Sequence, residues 1–392
     1  MKKLMIMGAG IYQVPLIKTA REMGLYTIAV SIPGNYPGFG LADEVLHINT
    51  TDSEAVLKAA QERKIDGICT AGTDVAVTTI GRVNDAMGLS GISYEAAKLA
   101  TDKVLMKQCY EEAGVRTARY RKVYFNEDVH KKIEGLAYPL IFKIVDSSGS
   151  RGITRVDTPD QIQEAIINAQ AFTRKDYYIV EEFIVGREFG AQAFVMDGKV
   201  QFILPHGDYI FLGSTGVPAG HFAPYELPEE SVQDCYDTCE AAIHAMKLDN
   251  CAVNCDFIMR DGKTYVLELG GRSGATCLAE LVSIYYGYDY YKKIIQVAMG
   301  EKPDFPKSKA VPNASKLLMS DKDGEIVCLA NRNPKSDTNV VEVQFDYTVG
   351  DTVKKFHVGP NRIGHVITKG RTLSEATAAL DRAMKRIEIE VI

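Results

Sequence analysis

The stretch YPLIFKIVDSSGSRGIT, residues 138–154, starts as a strand and runs into a loop. Leu140, Phe142 and Ile144 alternate with Ile141, Lys143 and Val145, the period-two pattern of a strand. Lys143 stands inside that apolar run, where an ammonium is costly to desolvate unless an anion meets it. The following Asp146-Ser147-Ser148-Gly149-Ser150-Arg151-Gly152 is small and rich in donors, and such a loop can offer backbone N–H groups to phosphate oxygens. It is not a Walker A loop, because no Gly-Lys-Ser/Thr follows. A plain hairpin beside a lysine that reaches solvent fits the same residues, so the flanking segments must decide.

The chain has 392 residues, enough for two or three domains. Its 46% hydrophobic and 24% charged residues are ordinary for a globular protein. A net charge of −6, with no basic run or aromatic-basic stripe, argues against a nucleic-acid partner. No apolar segment reaches the ~18 residues of a membrane span. Gly8 and Gly10 after a short apolar run read as a first strand and turn rather than a signal peptide, so a cytoplasmic protein is expected. The eight cysteines sit mostly in apolar surroundings, as reduced thiols do, and Cys235/Cys239 and Cys251/Cys255 lack zinc-ribbon spacing.

Residues 1–95 alternate strand and helix, with strands at 4–7, 27–30, 45–48 and 67–70 and helices at 12–23, 53–63 and 75–87. That order predicts a parallel, doubly wound sheet. Gly8-Ala9-Gly10 is half of a dinucleotide fingerprint, but Gln13 replaces its third glycine and no acid ends the second strand. A tight turn in a Rossmann-like unit fits better. Residues 94–114 look helical, with Thr101 or Asp102 as a cap and Lys103 in the first turn. The helix dipole disfavours a cation there unless an anion is near.

Residues 115–185 read as a small α/β lobe ending in Tyr177-Tyr178-Ile179-Val180-Glu181-Glu182-Phe183-Ile184. A strand end with apolar neighbours suits a flat adenine, and a carboxylate a few residues on suits a ribose diol. Residues 205–222 read as a long irregular loop, a length usually associated with function. Residues 252–259 and 263–269 form a hairpin around Arg260-Asp261-Gly262. A two-residue Asp-Gly turn would put Asp256 and Glu268 on opposite faces. A three-residue loop pairs Met259 with Lys263, places Asp256 beside Glu268 with Asn254 across from Glu268, and leaves Phe257, Met259, Tyr265, Leu267 and Leu269 as a core face. The apolar pattern favours the second register. Two acids on one face repel unless a cation lies between them, and oxygen ligands suit Mg²⁺ shared with phosphates. Arg272 in Gly270-Gly271-Arg272-Ser273-Gly274 precedes a helix expected at 275–286, an anion site. Residues 313–392 read as five strands and a helix at 373–388, an antiparallel sheet closed by a helix, with His365 structural.

In this order the parts resemble an ATP-grasp ligase, of the group that includes biotin carboxylase, the purine-pathway carboxylate ligases, carbamoyl-phosphate synthetase halves, D-alanine–D-alanine ligase and L-amino-acid ligases. The resemblance covers nearly the whole chain. It implies an α/β and α+β multidomain fold: a Rossmann-like domain at 1–95, a two-lobed ATP-grasp domain at 96–310 with its small lobe near 115–185, and a C-terminal antiparallel sheet plus helix at 311–392. It implies that Lys103 and Lys143 touch ATP phosphates, that Ser148, Gly149, Ser150 and Gly152 belong to the loop closing over them, and that Glu181, Glu182, Phe183 and Ile184 hold adenine with Glu188 on the ribose. Asp256 and Glu268 would hold Mg²⁺, with Mn²⁺ as a substitute, and Arg272 would steady an acyl phosphate. The chain departs from the family at Gly270, where an asparagine is usual; water, a backbone carbonyl or Asn254 from across the hairpin would take its place. The implied reaction couples a small-molecule carboxylate to an amine through an acyl phosphate, in a homodimer. The alternatives are a purine-pathway-like carboxylase or formyl transferase, and a nucleotide-binding protein without ligase activity.

Overall fold

The computed structural model describes residues 1–146, 152–212, 216–307 and 309–392. The front of the chain runs β1 (Lys3–Met7), α1 (Val14–Glu22), β2 (Tyr26–Ser31), β3 (Glu44–His47), α2 (Ser53–Arg63), β4 (Gly67–Cys69) and α3 (Val77–Met87). Its four strands pair in parallel in the order β3-β2-β1-β4, as the alternation predicts. Gln13 closes the first turn: its Oε1 accepts from Gly10 N at 2.9 Å and its Nε2 donates to Ala71 O at 2.5 Å. Gly8, at φ 99°, leaves room for that side chain, so the turn is filled by the protein itself.

The helical stretch breaks into α4 (Tyr94–Leu99) and α5 (Lys103–Glu112). Asp102 caps α5, accepting from Val104 N and Leu105 N. Next come β5 (Tyr120–Tyr124), α6 (Val129–Lys132), β6 (Leu140–Lys143), β7 (Ile153–Val156), α7 (Ile162–Phe172) and β8 (Tyr177–Glu182). They form a separate four-stranded sheet, β5-β8-β6-β7, with its own core of Val123, Leu140, Phe142, Tyr178 and Val180.

The chain continues through β9 (Arg187–Met196), β10 (Lys199–Leu212), β11 (Gly216–Ala223), α8 (Glu229–Ala245), β12 (Cys251–Arg260), β13 (Lys263–Gly270), α9 (Leu278–Tyr286) and α10 (Tyr290–Ala298). It ends with β14 (Asn313–Leu318), β15 (Gly324–Asn331), β16 (Val340–Phe345), β17 (Thr352–Val353), β18 (Gly364–Lys369), α11 (Leu373–Met384) and β19 (Ile387–Val391). One eight-stranded sheet joins both sets in the order β13-β12-β9-β10-β11-β14-β18-β16, while β17-β15-β19 stand apart. One face of β9, β12 and β13 shares a core with α8 and with β1 and β2.

Three expectations change. Residues 205–212 and 216–222 are not an irregular loop but most of the β10–β11 pair, with a bulge at Tyr209/Ile210. The glycines there serve close approach: a Cβ on Gly207 would overlap the Phe222 ring, and one on Gly220 would overlap Ser315 O of β14. The last helix stops at Met384, because Ile387, Ile389 and Val391 alternate and pair with β15. The helix expected from 275 begins at Leu278, because Thr276 and Cys277 take left-handed backbone angles of 55° and 69°.

Gly220→Ala should therefore loosen the β11–β14 seam. We expect a loss of about 1–3 kcal/mol in guanidinium unfolding, whereas Gly40→Ala, on the surface with nothing within 4 Å of the added carbon, should stay nearer the wild type.

Candidate active site

The hairpin of β12 and β13 reaches the expected pairing by an unexpected route. Asp261 and Gly262, at φ 51° and 72°, form a two-residue turn, so Arg260 pairs with Lys263. That register alone would separate the two acids. A bulge between Asp256 and Phe257 restores them: the partner jumps from Val266 to Glu268, leaving Leu267 unpaired. Asp256 then lies directly opposite Glu268, and Asn254 opposite Gly270 rather than Glu268. The core face is Phe257, Met259, Val266 and Leu269. Tyr265 and Leu267 turn instead to Ile258, Ala118 and Ile184, an apolar shelf at the hinge between the two sheets.

The same face of the large sheet changes character along its strands. Phe194, Phe202 and Ala252 pack in the core with α9 and α10. One step on, Gln192 Nε2 donates to Asn254 Oδ1 at 2.6 Å, and Gln192 Oε1 accepts from Gly274 N at 2.8 Å. One step further, Glu268, Asp256, Gly190 and His206 line up across four strands. Asn254 Nδ2 reaches Asp256 Oδ1 only at 3.4 Å.

The lysines converge from the other side. Lys103, at the first position of α5, is paired with Glu268, the anion its place on the helix dipole calls for. Burial works against its charge, but Glu268, Glu181 and Asp74 outweigh it and raise the pKa. Lys143 Nζ lies 3.0 Å from Glu181 Oε2, and Lys107 Nζ lies 3.4 Å from the same oxygen. Glu181 is buried, which opposes its ionisation, yet Lys107, Lys143 and Lys103 hold its carboxyl down at about 2. Burial drives the Lys107 ammonium down to about 8 despite Glu181. Tyr177 Oη donates to Asp102 Oδ2 at 2.6 Å, tying β8 to the cap of α5.

Arg272 lies in the strand-to-helix connection, ahead of α9 rather than at its first turn. It forks onto Asp74, with Nε to Oδ1 at 2.8 Å and Nη2 to Oδ2 at 2.7 Å. A Cβ on Gly270 would stand 2.8 Å from Asp74 Oδ1. The glycine thus makes room for the fork, which accounts for the departure from asparagine.

The remaining expected residues fall unequally. Ile184 joins the hinge shelf, and Glu188 lies opposite Ile258 on the same sheet face. Phe183 carries the Arg155 guanidinium 4.4 Å over its ring. Glu182 bonds Arg119 at 2.9 Å and Ala137 N at 2.9 Å, turned away from Glu181. Gly152, at φ 64°, packs on Ile144, while Ser148, Gly149 and Ser150 lie outside the described residues. Lys107 went unnoticed in the sequence, although its spacing from Lys103 puts both on one helix face.

Asp256 is pushed up to about 7 by burial, Glu268 and Asp208; its carboxyl opens to the cleft, so water tempers the shift. Two facing carboxylates that resist joint ionisation fit a hard cation with oxygen ligands.

The family profile of the ATP-grasp domain matches residues 100–276, and that of the L-amino acid ligase C-terminal domain 2 matches residues 316–391. A solved phosphoribosylglycinamide synthetase from Anaerococcus prevotii is 34% identical over 100% of both chains, with a TM-score of 0.86. D-alanine–D-alanine ligase of Geobacter sulfurreducens is 28% identical, covering 60% of this chain and 83% of its own. Alanine–anticapsin ligase of Bacillus subtilis is 23% identical, covering 64% of this chain and 58% of its own. The chain belongs to the ATP-grasp family. It is an ATP-dependent ligase that couples a carboxylate to an amine.

Glu181→Gln leaves Lys107, 1% exposed, without its carboxylate. We expect a loss of about 3–5 kcal/mol at pH 7. Glu181's folded pKa is depressed, so its stabilisation is present above the ordinary value of 4.5 and fades as pH falls toward about 2. Denaturant melts of wild type and variant should converge across that window.

Proposed function

We propose that the acid is an amino acid or a carboxylate of similar size, and that its carboxylate attacks the γ-phosphate of ATP at the meeting point of the lysines and the paired acids. One observation carries this assignment: Lys103 and Lys143 face Glu268 and Glu181, while Asp256 and Glu268 sit side by side on the sheet. Cations already held by carboxylates can be handed to phosphate oxygens, and charge stabilisation is most of what phosphoryl transfer asks of a protein. Mg²⁺, held by Asp256 and Glu268, would supply further neutralisation of the phosphates. Arg272 is the cation for the acyl phosphate, held in aim by Asp74. Adenine takes the shelf of Ile184, Ile258 and Leu267, with the backbone of residues 181–184 beside it and Glu188 near the ribose; the loop of Ser148, Gly149, Ser150 and Gly152 closes over the phosphates.

The amino-acid class is supported by the two ligases of alanine among the relatives. A division at about residues 95 and 310, a homodimer and a cytoplasmic site of action complete the proposal. The Hydrogenobacter thermophilus biotin carboxylase domain of this fold is described as a dimer, and no helix among the described residues is long and apolar enough to cross a membrane.

ADP and phosphate release from Mg-ATP, screened against pools of amino acids, other acids and amines, should depend on one carboxylate and one amine. Release driven by bicarbonate or formate alone would replace the amino-acid assignment. Lys143→Met should weaken ATP binding at least about tenfold by calorimetry, since a charge-assisted bond is worth about 1.5–3 kcal/mol. Asp256→Asn should abolish turnover yet raise the melting temperature at pH 8 without metal. The raised pKa of Asp256 means that its contribution is fully present only below the ordinary 3.8 and is lost as pH rises through about 7. An unchanged melting temperature, or surviving Mg²⁺-dependent turnover, would remove this metal assignment.

A further inference from the structure

Beyond Asp256 the polar row continues into a cluster with no part in the phosphate chemistry. His206 and Asp208 project from one face of β10, and His221 pairs with Asp208 from β11. Asp208 Oδ1 receives both imidazoles: His206 Nδ1 at 3.0 Å and His221 Nδ1 at 2.6 Å. Both rings are almost wholly buried, at 2% and 3% exposure, and stand edge to face with centroids 5.2 Å apart. With its Nδ1–H given to Asp208, a neutral His206 carries its lone pair on Nε2. That atom is buried and has no partner. Leaving a polar nitrogen so costs about 1–3 kcal/mol, a cost a ligand would relieve.

The direction of that nitrogen is set by Gly190. Any Cβ there would overlap His206 Cε1 and Nε2, so this edge of the ring overlies the glycine. Gly190 lies between His206 on β10 and Asp256 on β12 in one cross-strand row. His206 thus stands two strands from Asp256 in that row, with its Nε2 edge over the glycine between them.

We propose that His206 accepts the proton of the amine that captures the acyl phosphate, with Asp208 as its positioning residue and His221 completing the amine's pocket. This rests on the carboxylate–amine ligase reading above. An amine of ordinary basicity arrives as an ammonium and cannot attack until it gives up a proton. The Asp208 carboxylate behind the two rings supplies the negative charge that draws an ammonium in. The proton passes from the ammonium to His206 Nε2, giving an imidazolium that Asp208 stabilises. The freed nitrogen lone pair forms the C–N bond at the acyl carbon. The C–O bond to phosphate breaks, phosphate leaving with the electron pair, and the second nitrogen proton goes to the departing phosphate. Charge and atoms balance, with amide, hydrogen phosphate and imidazolium as products. The groups facing His206 are Asp208 on its own strand, His221 on β11, Asp256 on β12 and, past Asp256, Glu268 on β13.

Hydroxylamine separates this step from acyl-phosphate formation, because it is already unprotonated at neutral pH and needs no base. With a carboxylate that supports ADP release in the wild type, amide and hydroxamate formation would be measured side by side. His206→Gln should cut amide formation about 100-fold at pH 7, the usual size of a general-base contribution. Hydroxamate should fall much less, and the amide deficit should narrow as pH approaches the amine's own pKa. Asp208→Asn, which leaves the ring in place, should shift the ratio the same way. Amide formation within threefold of wild type in both variants, or an equal fall for both nucleophiles, overturns the inference while leaving the ligase reading intact. So does a stoichiometric zinc or iron retained by the wild type and lost in His206→Gln, since two histidines and a carboxylate also suit such a metal. No carboxylate-dependent hydroxamate from the wild type overturns the ligase reading and this inference with it.

Discussion

The site depends on one buried carboxylate. Glu181 ends β8 in the small sheet and meets Lys143 from the neighbouring β6 and Lys107 from α5, which sits on the large core. Removing water from an ammonium is expensive, so Lys107 stays charged in the interior only because Glu181 is there. The same contact fixes where the small sheet sits over the large one. Lys103, one turn earlier on α5, then falls opposite Glu268. A position in one strand thus places cations from two elements above a pair of acids from a third.

Much of this was legible in the sequence, for reasons that differ by region. The front sheet follows from clean alternation of short apolar runs and amphipathic helices. Lys143 stands out because a lysine in an apolar strand needs an anion; the structure supplies Glu181, which the sequence offered only as an adenine-side residue. The pairing of Asp256 with Glu268 could be argued from the apolar pattern, but through the wrong turn. A three-residue loop and a two-residue turn followed by a bulge give the same facing pair, and no local signal marks Leu267 as the extra residue.

What stayed hidden depends on contacts between distant segments. Asp74 and Arg272 are far apart in the chain, and only their fork explains Gly270. Lys107 reads as a surface lysine on an amphipathic helix until Glu181 is brought to it. Residues 205–222 are dense in glycine and proline, the usual punctuation of loops, yet Gly207 and Gly220 are where β10 takes the Phe222 ring of β11 and β11 takes the backbone of β14. Residues 387–391 lost their strand character to the helix before them, because their partner β15 lies some sixty residues earlier.

The hydrogen-bonded continuity of the eight-stranded sheet has a mechanical consequence. Strands from both the hairpin that bears the acids and the last eighty residues belong to one ladder, so they form a stiff plate that resists bending. Among the described residues the four-stranded sheet bearing Lys143 and Glu181 shares no ladder with that plate; the isolated bridge of Thr117 with Val266 and the apolar shelf of Ala118, Ile184 and Ile258 lie at its root. Compliance is therefore concentrated on the side of the small sheet. On the proposed reading, opening and shutting of the cleft fall to the small sheet, while the row of Glu268, Asp256 and His206 stays put on the plate.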